Sequence, residues 1–310
     1  MSDLAIGLRL DVVGDVGAQA RRAEDAGLDF VCVGEHIFSH GPSTNPFVAL
    51  GVAAGATSRI KLLSAVTLLP LYPAALAAKM AAVLDEASAG RFHLGVGVGG
   101  EHEREFRAAG VPVRERGRRA DEALSVIHEL FEGGTVTFHG RWNDLDGVRL
   151  IPPPVRPGGP PIWVAGRGEP AQRRAGRWGA AWMPYLVRPE RVASGLEVMR
   201  AQAVESGRDP EGLGCAAYVF VSVGRDATAA HRDGTRALGT KYARPEGDRL
   251  TTYVVAGDVD ECVAQLLEFR EAGADTLLVN LSASDEDRPA MERLLFEELA
   301  PSLRRAAARP

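Results

Sequence analysis

The stretch from residue 61 to residue 100 constrains the fold most, because it reads as strand, helix, strand. The apolar run Leu62–Leu69 ends at Pro70, an alanine-rich run Ala74–Asp85 follows, and Arg91–Val98 resumes an apolar extended pattern. Two strands joined by a full helical crossover must lie parallel, because a hairpin turn cannot connect them. The chain is therefore expected to build a parallel sheet flanked by helices.

The same alternation runs along most of the chain. Eight apolar segments of strand length can be paired with helical segments, at residues 4–10, 30–33, 62–69, 91–98, 162–165, 180–183, 215–223 and 276–281. The strands are too apolar for a sheet with one wet face, which favours a closed (β/α)8 barrel. A doubly wound sheet shows the same alternation and is the alternative. The length of 310 residues favours the barrel, with insertions.

Residues 133–160 break this rhythm. The segments 135–138 and 142–150 have the pattern of a hairpin, and a run rich in proline and glycine follows. Since the alternation resumes directly afterwards, we interpret the segment as an excursion within a single domain spanning residues 1–310.

The composition restricts the partners. A net charge of -5 argues against a nucleic-acid-binding surface. No apolar run approaches the roughly 18 residues of a membrane-spanning helix. The chain also starts without a basic region followed by an apolar one, so a cytoplasmic location with no membrane partner is expected.

Polar and glycine residues collect where the strands end. Glu35 and His36 follow the second strand, and Ala65, Val66 and Thr67 lie on the third. The fourth strand ends in a glycine-rich run that includes Val98 and Gly99, and Glu101 follows it. The loop Gly166, Arg167 and Gly168 follows the fifth strand. A barrel gathers ligand chemistry at the carboxyl ends of its strands, so these residues predict one site.

Each candidate has a structural alternative. His36 suits general acid–base chemistry near neutral pH but is as often a structural histidine. Glu35 could orient a ring or be a surface charge, and Glu101 is a candidate acid in a segment that could equally be solvated. The loop of Gly166, Arg167 and Gly168 before a helix is a candidate anion site or an ordinary turn. No pair of histidines has metal-ligand spacing, so no metal site is expected.

The run from Gly95 to Gly100 matches GxGxxG, the dinucleotide fingerprint. That motif belongs in the first strand–helix turn, with an acidic residue at the end of the next strand, whereas here it lies on the fourth strand. A strand end free of side chains, against which a planar ring could lie, is the preferred interpretation.

Together these segments resemble the bacterial luciferase-like superfamily, and within it the F420-dependent oxidoreductases. The resemblance covers most of the chain, and its most specific part is AVTLLPLYP…AAKMAAVLDEASAGRFHLGVGVG. It implies a (β/α)8 barrel that binds a deazaflavin or flavin across the strand ends. It also implies a non-proline cis peptide bond between Ala65 and Val66, ahead of Thr67, behind the central ring of the cofactor.

The resemblance further implies residue roles. His36 would donate or accept a proton, with Glu101 as a candidate second catalytic group. Glu35, Val98 and Gly99 would contact the cofactor, and Gly166, Arg167 and Gly168 would bind its phosphate. The hairpin 134–150 and the loop 239–253 should shape the substrate pocket.

The expected function is hydride transfer between coenzyme F420 and an organic substrate. The protein is expected to be a homodimer. An FMN-dependent monooxygenase, which uses oxygen and a partner flavin reductase, is the first alternative. A barrel that binds a cofactor without turnover is the second.

Overall fold

The computed structural model describes residues 3–11, 14–39, 41–243 and 249–308. Twelve strands lie in this part of the chain: β1 Ala5–Arg9, β2 Phe30–Val33, β3 Lys61–Ser64, β4 Thr67–Leu68, β5 Phe92–Gly97, β6 Val136–His139, β7 Asp144–Val148, β8 Ile162–Ala165, β9 Ala181–Met183, β10 Gly214–Val223, β11 Val254–Gly257 and β12 Thr276–Leu281. Eleven α-helices accompany them: α1 Val16–Asp25, α2 Pro46–Ala56, α3 Ala74–Ala87, α4 Glu103–Ala108, α5 Arg116–Glu132, α6 Glu169–Trp178, α7 Pro189–Glu205, α8 Ala227–Lys241, α9 Val259–Glu271, α10 Arg288–Leu294 and α11 Ala300–Ala307.

Eight parallel strands close into a barrel, as predicted. The order is β1, β2, β3, β5, β8, β9, β10, β12 and back to β1. The pairing of β9 with β10, through Ala181 and Gly214 and through Trp182 and Cys215, closes the circle. A doubly wound sheet has open edges, so this pairing rules it out.

The third strand differs from the single strand Leu62–Leu69 that the apolar run predicts. The Ala65–Val66 peptide bond is cis, as the resemblance implies, and it separates β3 from β4. Leu63 is in register with His93 of β5, but Thr67 is in register with Val96. The third strand thus holds one residue more than its partner, which is the count of a β-bulge.

The side chain of Ser64 replaces the interrupted ladder. Its hydroxyl donates to the carbonyl of Gly95 and accepts from the amide of Gly95, both at 2.8 Å. A Cβ on Gly95 would lie 1.8 Å from the carbonyl oxygen of Ser64, and one on Gly97 would lie 2.6 Å from Val66 Cγ2. These two glycines therefore make room for the bulged strand, whereas the sequence suggested room for a planar ring.

The seventh unit departs from the prediction most. Strand β11, absent from the predicted set, pairs with the last part of β10, from Phe220 with Val254 to Val223 with Gly257. The first part of β10 pairs with β9 and its middle with β12. The long strand β10 thus extends beyond the barrel wall, and β11 pairs with this extension.

Helix α8 lies against the inner face of the barrel wall. Along β10, residues Cys215 to Val223 alternate between the outer core and the interior, and Tyr218 and Ser222 have the interior parity. A Cβ on Gly234 of α8 would lie 2.3 Å from Ser222 Cβ, and Ser282, at the end of β12, donates to the carbonyl of Gly234 at 2.9 Å. The structure therefore directs α8 into the mouth of the barrel, which simple strand–helix alternation does not predict.

The interior below the mouth is filled by side chains. The rings of Phe30, His93 and Trp163 contact one another with centroids 5.1 to 5.3 Å apart. Burial lowers the pKa of His93 to about 3, so this imidazole is neutral. The barrel therefore has a closed floor, and ligands have access only from the mouth.

The excursion forms the hairpin β6–β7, which pairs only with itself in the described sheets. In the part of the chain that the structure describes, every helix is too short or too polar to cross a membrane. Of the loop 239–253, residues 244–248 lie outside the described residues.

Candidate active site

His36 lies directly after β2 and contacts a carboxylate that the sequence did not single out. Its Nδ1 is 3.2 Å from Glu105 Oε1 and 3.3 Å from Oε2. The Glu105 side chain is 1 % exposed, and it also accepts from the backbone amide of Phe38 at 2.9 Å. The His36 side chain is 31 % exposed. A buried carboxylate thus fixes the ring of a histidine that solvent and ligands can still reach.

His102 adds a second imidazole to this cluster. Its ring lies 4.9 Å from that of His36, edge to face. A cavity of about 630 Å³ opens beside His36 and is lined by the following loop and by Arg104 and Arg107 of α4. The pair of His36 and Glu105 therefore stands at the wall of a solvent-accessible space.

Glu35, the neighbour of His36 in sequence, is buried and points into the protein. Its Oε1 accepts from the amide of Leu68 at 2.6 Å, and its Oε2 accepts from the Tyr72 hydroxyl at 2.5 Å and from Asn45 Nδ2 at 3.3 Å. Burial raises the pKa of the Glu35 carboxyl, and the bonds from Tyr72 and Leu68 partly offset that effect. Glu35 thus ties the end of β2 to the segment after the bulge, and its contact with a cofactor stays a prediction.

Glu35→Gln is expected to lower the free energy of unfolding by about 1–3 kcal/mol. The neutral amide loses charge-assisted bonds and can place an N–H against a donor. Urea unfolding followed by circular dichroism measures the effect. Glu103→Gln, on the exposed face of α4, is the matched control and should change stability by less than about 0.5 kcal/mol. Equal stability of the two variants would contradict this role of Glu35.

The rim of the mouth along β3, β4 and β5 is open. Ala65, Val66, Val98 and Gly99 are all partly accessible. Thr67 is fully buried, and its hydroxyl is among the described buried polar atoms without a hydrogen-bond partner. Small side chains and an unpaired hydroxyl at a kinked strand leave both a surface and a polar atom for a planar ligand at this rim.

The loop after β8 has the features of an anion site. Gly168 is the N-cap of α6 and provides no side-chain cap. Pro170 has no N–H and the amide of Ala171 donates to the carbonyl of Gly168 at 2.9 Å, so the amides of Arg167, Gly168 and Glu169 are the donors that this loop offers to an anion. Gly166 has a φ of +147°, and a Cβ there would lie 2.5 Å from Ala171 Cβ. Arg173 Nε is 2.8 Å from Glu169 Oε1, which offsets the acidic charge in the first turn. The donor set thus fits a phosphate.

Arg167 and Glu101 meet through a tyrosine. The guanidinium of Arg167 lies 5.1 Å from the centre of the Tyr185 ring, and the Tyr185 hydroxyl donates to Glu101 Oε1 at 2.8 Å. Burial and the neighbouring Glu101 raise the pKa of the Tyr185 hydroxyl, so it remains protonated. In the structure, Glu101 is therefore the hydrogen-bond partner of Tyr185, and Glu105 is the partner of His36.

The family described as luciferase-like monooxygenase matches residues 4–276, most of the chain. The chain belongs to this family. Two solved structures share the fold: an F420-dependent tetrahydromethanopterin reductase from Methanopyrus kandleri (TM-score 0.82, 20% identity, covering 97% of this chain and 100% of that one) and an F420-dependent secondary alcohol dehydrogenase (TM-score 0.81, 23% identity, covering 97% and 99%).

Among curated members of the luciferase-like family, the chain is 35% identical over 222 residues to an F420-dependent hydroxymycolic acid dehydrogenase of Mycobacterium tuberculosis, covering 69% of this chain and 60% of that protein. It is 33% identical over 300 residues to a 4-hydroxyprotoasukamycin monooxygenase of Streptomyces nodosus subsp. asukaensis, covering 86% and 80%. This luciferase-like chain is therefore similar in sequence to both an F420-dependent dehydrogenase and a monooxygenase.

Proposed function

We propose that the protein transfers a hydride between coenzyme F420 and an organic substrate. The observation that carries this proposal is the pair of His36 and Glu105, a reachable imidazole held by a buried carboxylate at a strand end of the barrel. Hydride transfer to or from a carbonyl or alcohol also needs a proton acceptor or donor, and an oriented histidine serves as one.

The division of labour follows from the residues. Bound F420 supplies the hydride chemistry at its central ring. The open amides before α6, with Gly166, Arg167 and Gly168, would hold the cofactor phosphate. The rim at Ala65, Val66, Val98 and Gly99 would support the ring. His36 would hold or release the substrate proton at Nε2, while Glu105 fixes Nδ1.

A second candidate function has specific support. The monooxygenase relative is 33% identical over most of the chain, so an FMN-dependent monooxygenase fed by a flavin reductase competes with the first proposal. The anion loop suits either cofactor, because both carry a phosphate. The two functions differ in their need for oxygen.

An anaerobic assay separates the two candidates. Purified protein, oxidised F420 and a panel of secondary alcohols are mixed without oxygen, and the visible absorbance of F420 is followed. The proposal expects loss of that absorbance with at least one alcohol. Turnover only with reduced FMN and oxygen would overturn it in favour of the monooxygenase.

We also propose that the protein is a homodimer. Helices α2 and α3 pack against each other and expose Val48 and Val52 on one helix and Leu76 and Val83 on the other, between 44% and 68% accessible. Contiguous exposed apolar side chains commonly mark a protein interface.

Sedimentation equilibrium is expected to give the mass of two chains. A charge at the apolar face costs desolvation, so Val52→Asp should weaken the dimer at least about tenfold. Val204→Asp, at an equally exposed valine of α7, should leave the mass unchanged. A single-chain mass at every concentration would refute the dimer.

A further inference from the structure

Helix α8 brings a cationic side chain into the mouth, next to the end of β1. Arg9 is the last residue of β1, and its position continues the inward-facing series of Ala5 and Gly7. Lys241 is the last residue of α8, and its amine lies 5.6 Å from the centre of the Phe220 ring. Phe220 is in register with Asn280 of β12, and Val279 of β12 is in register with Leu8 of β1, so the Phe220 ring and Arg9 lie two strands apart at the same level of the barrel. Arg288 Nη2 donates to the carbonyl of Arg9. Three cationic side chains therefore converge at one part of the mouth.

The carboxylate in this group already serves one of the cations. Arg288 Nε is 3.2 Å from Asp11 Oδ2, and Arg288 Nη2 donates to the carbonyl of Arg9 at 3.0 Å. The side chain of Arg288 is 13% exposed, so the ion pair is largely buried. Arg9 and Lys241 thus remain as cations in excess of the acidic charge among the described residues.

The buried carboxylate of Glu292 also acts on Arg288, and it is already paired with Arg22 Nε at 2.7 Å. The remaining titratable groups that face the cluster are neutral. Burial raises the pKa of the Cys32 thiol to about 12, and it raises the pKa of the Tyr218 hydroxyl as well. Asn280 Nδ2 donates to that hydroxyl at 3.0 Å. Neither Cys32 nor Tyr218 can therefore compensate the positive charge of Arg9 and Lys241.

The mutual repulsion of the cations in this cluster is unfavourable, and a bound anion would reduce it. Surrounding protein and the guanidinium groups of Arg9 and Arg288 lower the pKa of Lys241 to about 7, although the residue is open to solvent. An anion beside Lys241 would favour its protonated form and raise this pKa again. The cluster is thus built to gain from an anionic ligand.

The position separates this cluster from the cofactor loop. In the barrel order, β8, which leads into Gly166–Gly168, is the strand opposite β1. The rim at Ala65 and Val66 belongs to the third strand, and Arg9 and Lys241 belong to β1 and α8. An anion bound by the cluster would therefore lie away from both regions assigned to the cofactor, in the part of the mouth where the substrate is expected.

We propose that Arg9 and Lys241, beside the ion pair of Arg288 and Asp11, bind a carboxylate or phosphate group of the organic substrate, so that the substrate of this enzyme is anionic. The identification of the bound anion as a substrate rests on the proposed function, but anion binding at this site can be tested without turnover. The anionic tail or phosphate of the cofactor is the other source of the same chemistry.

The three lysines of the chain, Lys61, Lys79 and Lys241, permit a direct test. Reductive methylation with carbon-13 formaldehyde labels each of them for NMR, and Lys241→Met assigns the signal of interest. The labelled protein, loaded with F420 and unloaded, is titrated with benzoate and with benzyl alcohol, which share a ring and differ in charge. Benzoate is expected to shift the Lys241 signal and raise its pKa in both forms, while benzyl alcohol leaves it unchanged.

The variants complete the test. Lys241→Met should weaken benzoate binding at least about tenfold, as expected for the loss of one charge-assisted contact. Lys61→Met, at an exposed lysine where β3 begins and so at the other end of the barrel, should bind benzoate as the wild type does. A Lys241 signal that ignores benzoate, or a Lys241→Met variant with unchanged affinity, would overturn the anion site. Displacement of benzoate by F420 would assign the cluster to the cofactor and overturn the substrate proposal, whereas failure of F420 to bind would count against the proposed function alone.

Discussion

His36→Ala lowers the turnover number by about a hundredfold to ten-thousandfold and leaves the dissociation constant of the cofactor within twofold. General acid–base catalysis by a positioned side chain contributes an effect of about that size. The rim residues expected to support the ring follow β3 and β5, and the phosphate loop precedes α6, so removal of the His36 imidazole leaves them in place. Steady-state kinetics and a fluorescence titration of the same preparation measure the two quantities.

The control for this substitution is His139→Ala. His139 lies on the exposed hairpin β6–β7, with its side chain 70% accessible and its Nδ1 2.6 Å from Asp144. It has the same chemistry and a similar carboxylate partner but lies in a two-stranded sheet separate from the barrel strands that carry the candidate site, so the turnover number should not change. Unchanged turnover in His36→Ala would remove His36 from the mechanism.

A substitution of Glu105 tests the pair of His36 and Glu105 through its second member. Glu105→Gln keeps an acceptor for the amide of Phe38 but removes the charge that faces His36. We expect a lower turnover number at an unchanged dissociation constant of the cofactor, because the ring of His36 loses the charged group that orients it. A merely structural role would lower the free energy of unfolding and leave the turnover number of the folded protein unchanged.

Gly95→Ala has the largest expected effect on stability, a loss of more than about 4 kcal/mol or failure to yield folded protein. The added Cβ would lie 1.8 Å from the carbonyl oxygen of Ser64, a backbone atom, and the Ser64 hydroxyl holds the two strands together at this point through two hydrogen bonds to Gly95. Relief would require β3 and β5 to separate. Thermal unfolding and the yield of soluble protein measure the loss.

Gly51→Ala is the matched control. Gly51 lies in the middle of α2, and a Cβ there would find open space. Since alanine is the better helix former, this variant should gain up to about 1 kcal/mol of stability. Two variants that unfold alike would show that the close approach of β3 and β5 does not determine the need for glycine at residue 95.

Strand–helix alternation was sufficient to predict the barrel. The apolar strands and the long helical crossovers both follow from local physics, because a strand buried on both faces is apolar throughout and parallel strands need a crossover connection. The strand ends at His36 and Gly166 could be found for the same reason. The family resemblance added the cis bond between Ala65 and Val66, which the apolar run itself hides.

The remainder depends on long-range packing. Strand β11 has four residues after a polar loop, too few for a periodic signal, and it exists because β10 extends beyond the barrel wall. The place of α8 inside the mouth depends on Gly234 meeting Ser222 and Ser282, contacts that periodicity does not encode. Glu105 lies in a charged segment of the sequence. Its aromatic neighbour Phe106 is the one sequence signal in α4 for the face that the structure buries.

Parallel titration of the purified protein with F420 and with FMN tests the central claim most directly. Fluorescence of each cofactor gives its dissociation constant, and Gly168→Asp, which puts a carboxylate where the phosphate should bind, shows whether the bound molecule lies at the loop before α6. We expect tight binding of F420, no saturable binding of FMN, and at least about a tenfold loss of affinity in the variant from like-charge repulsion. Tight binding of FMN without binding of F420 would contradict this expectation.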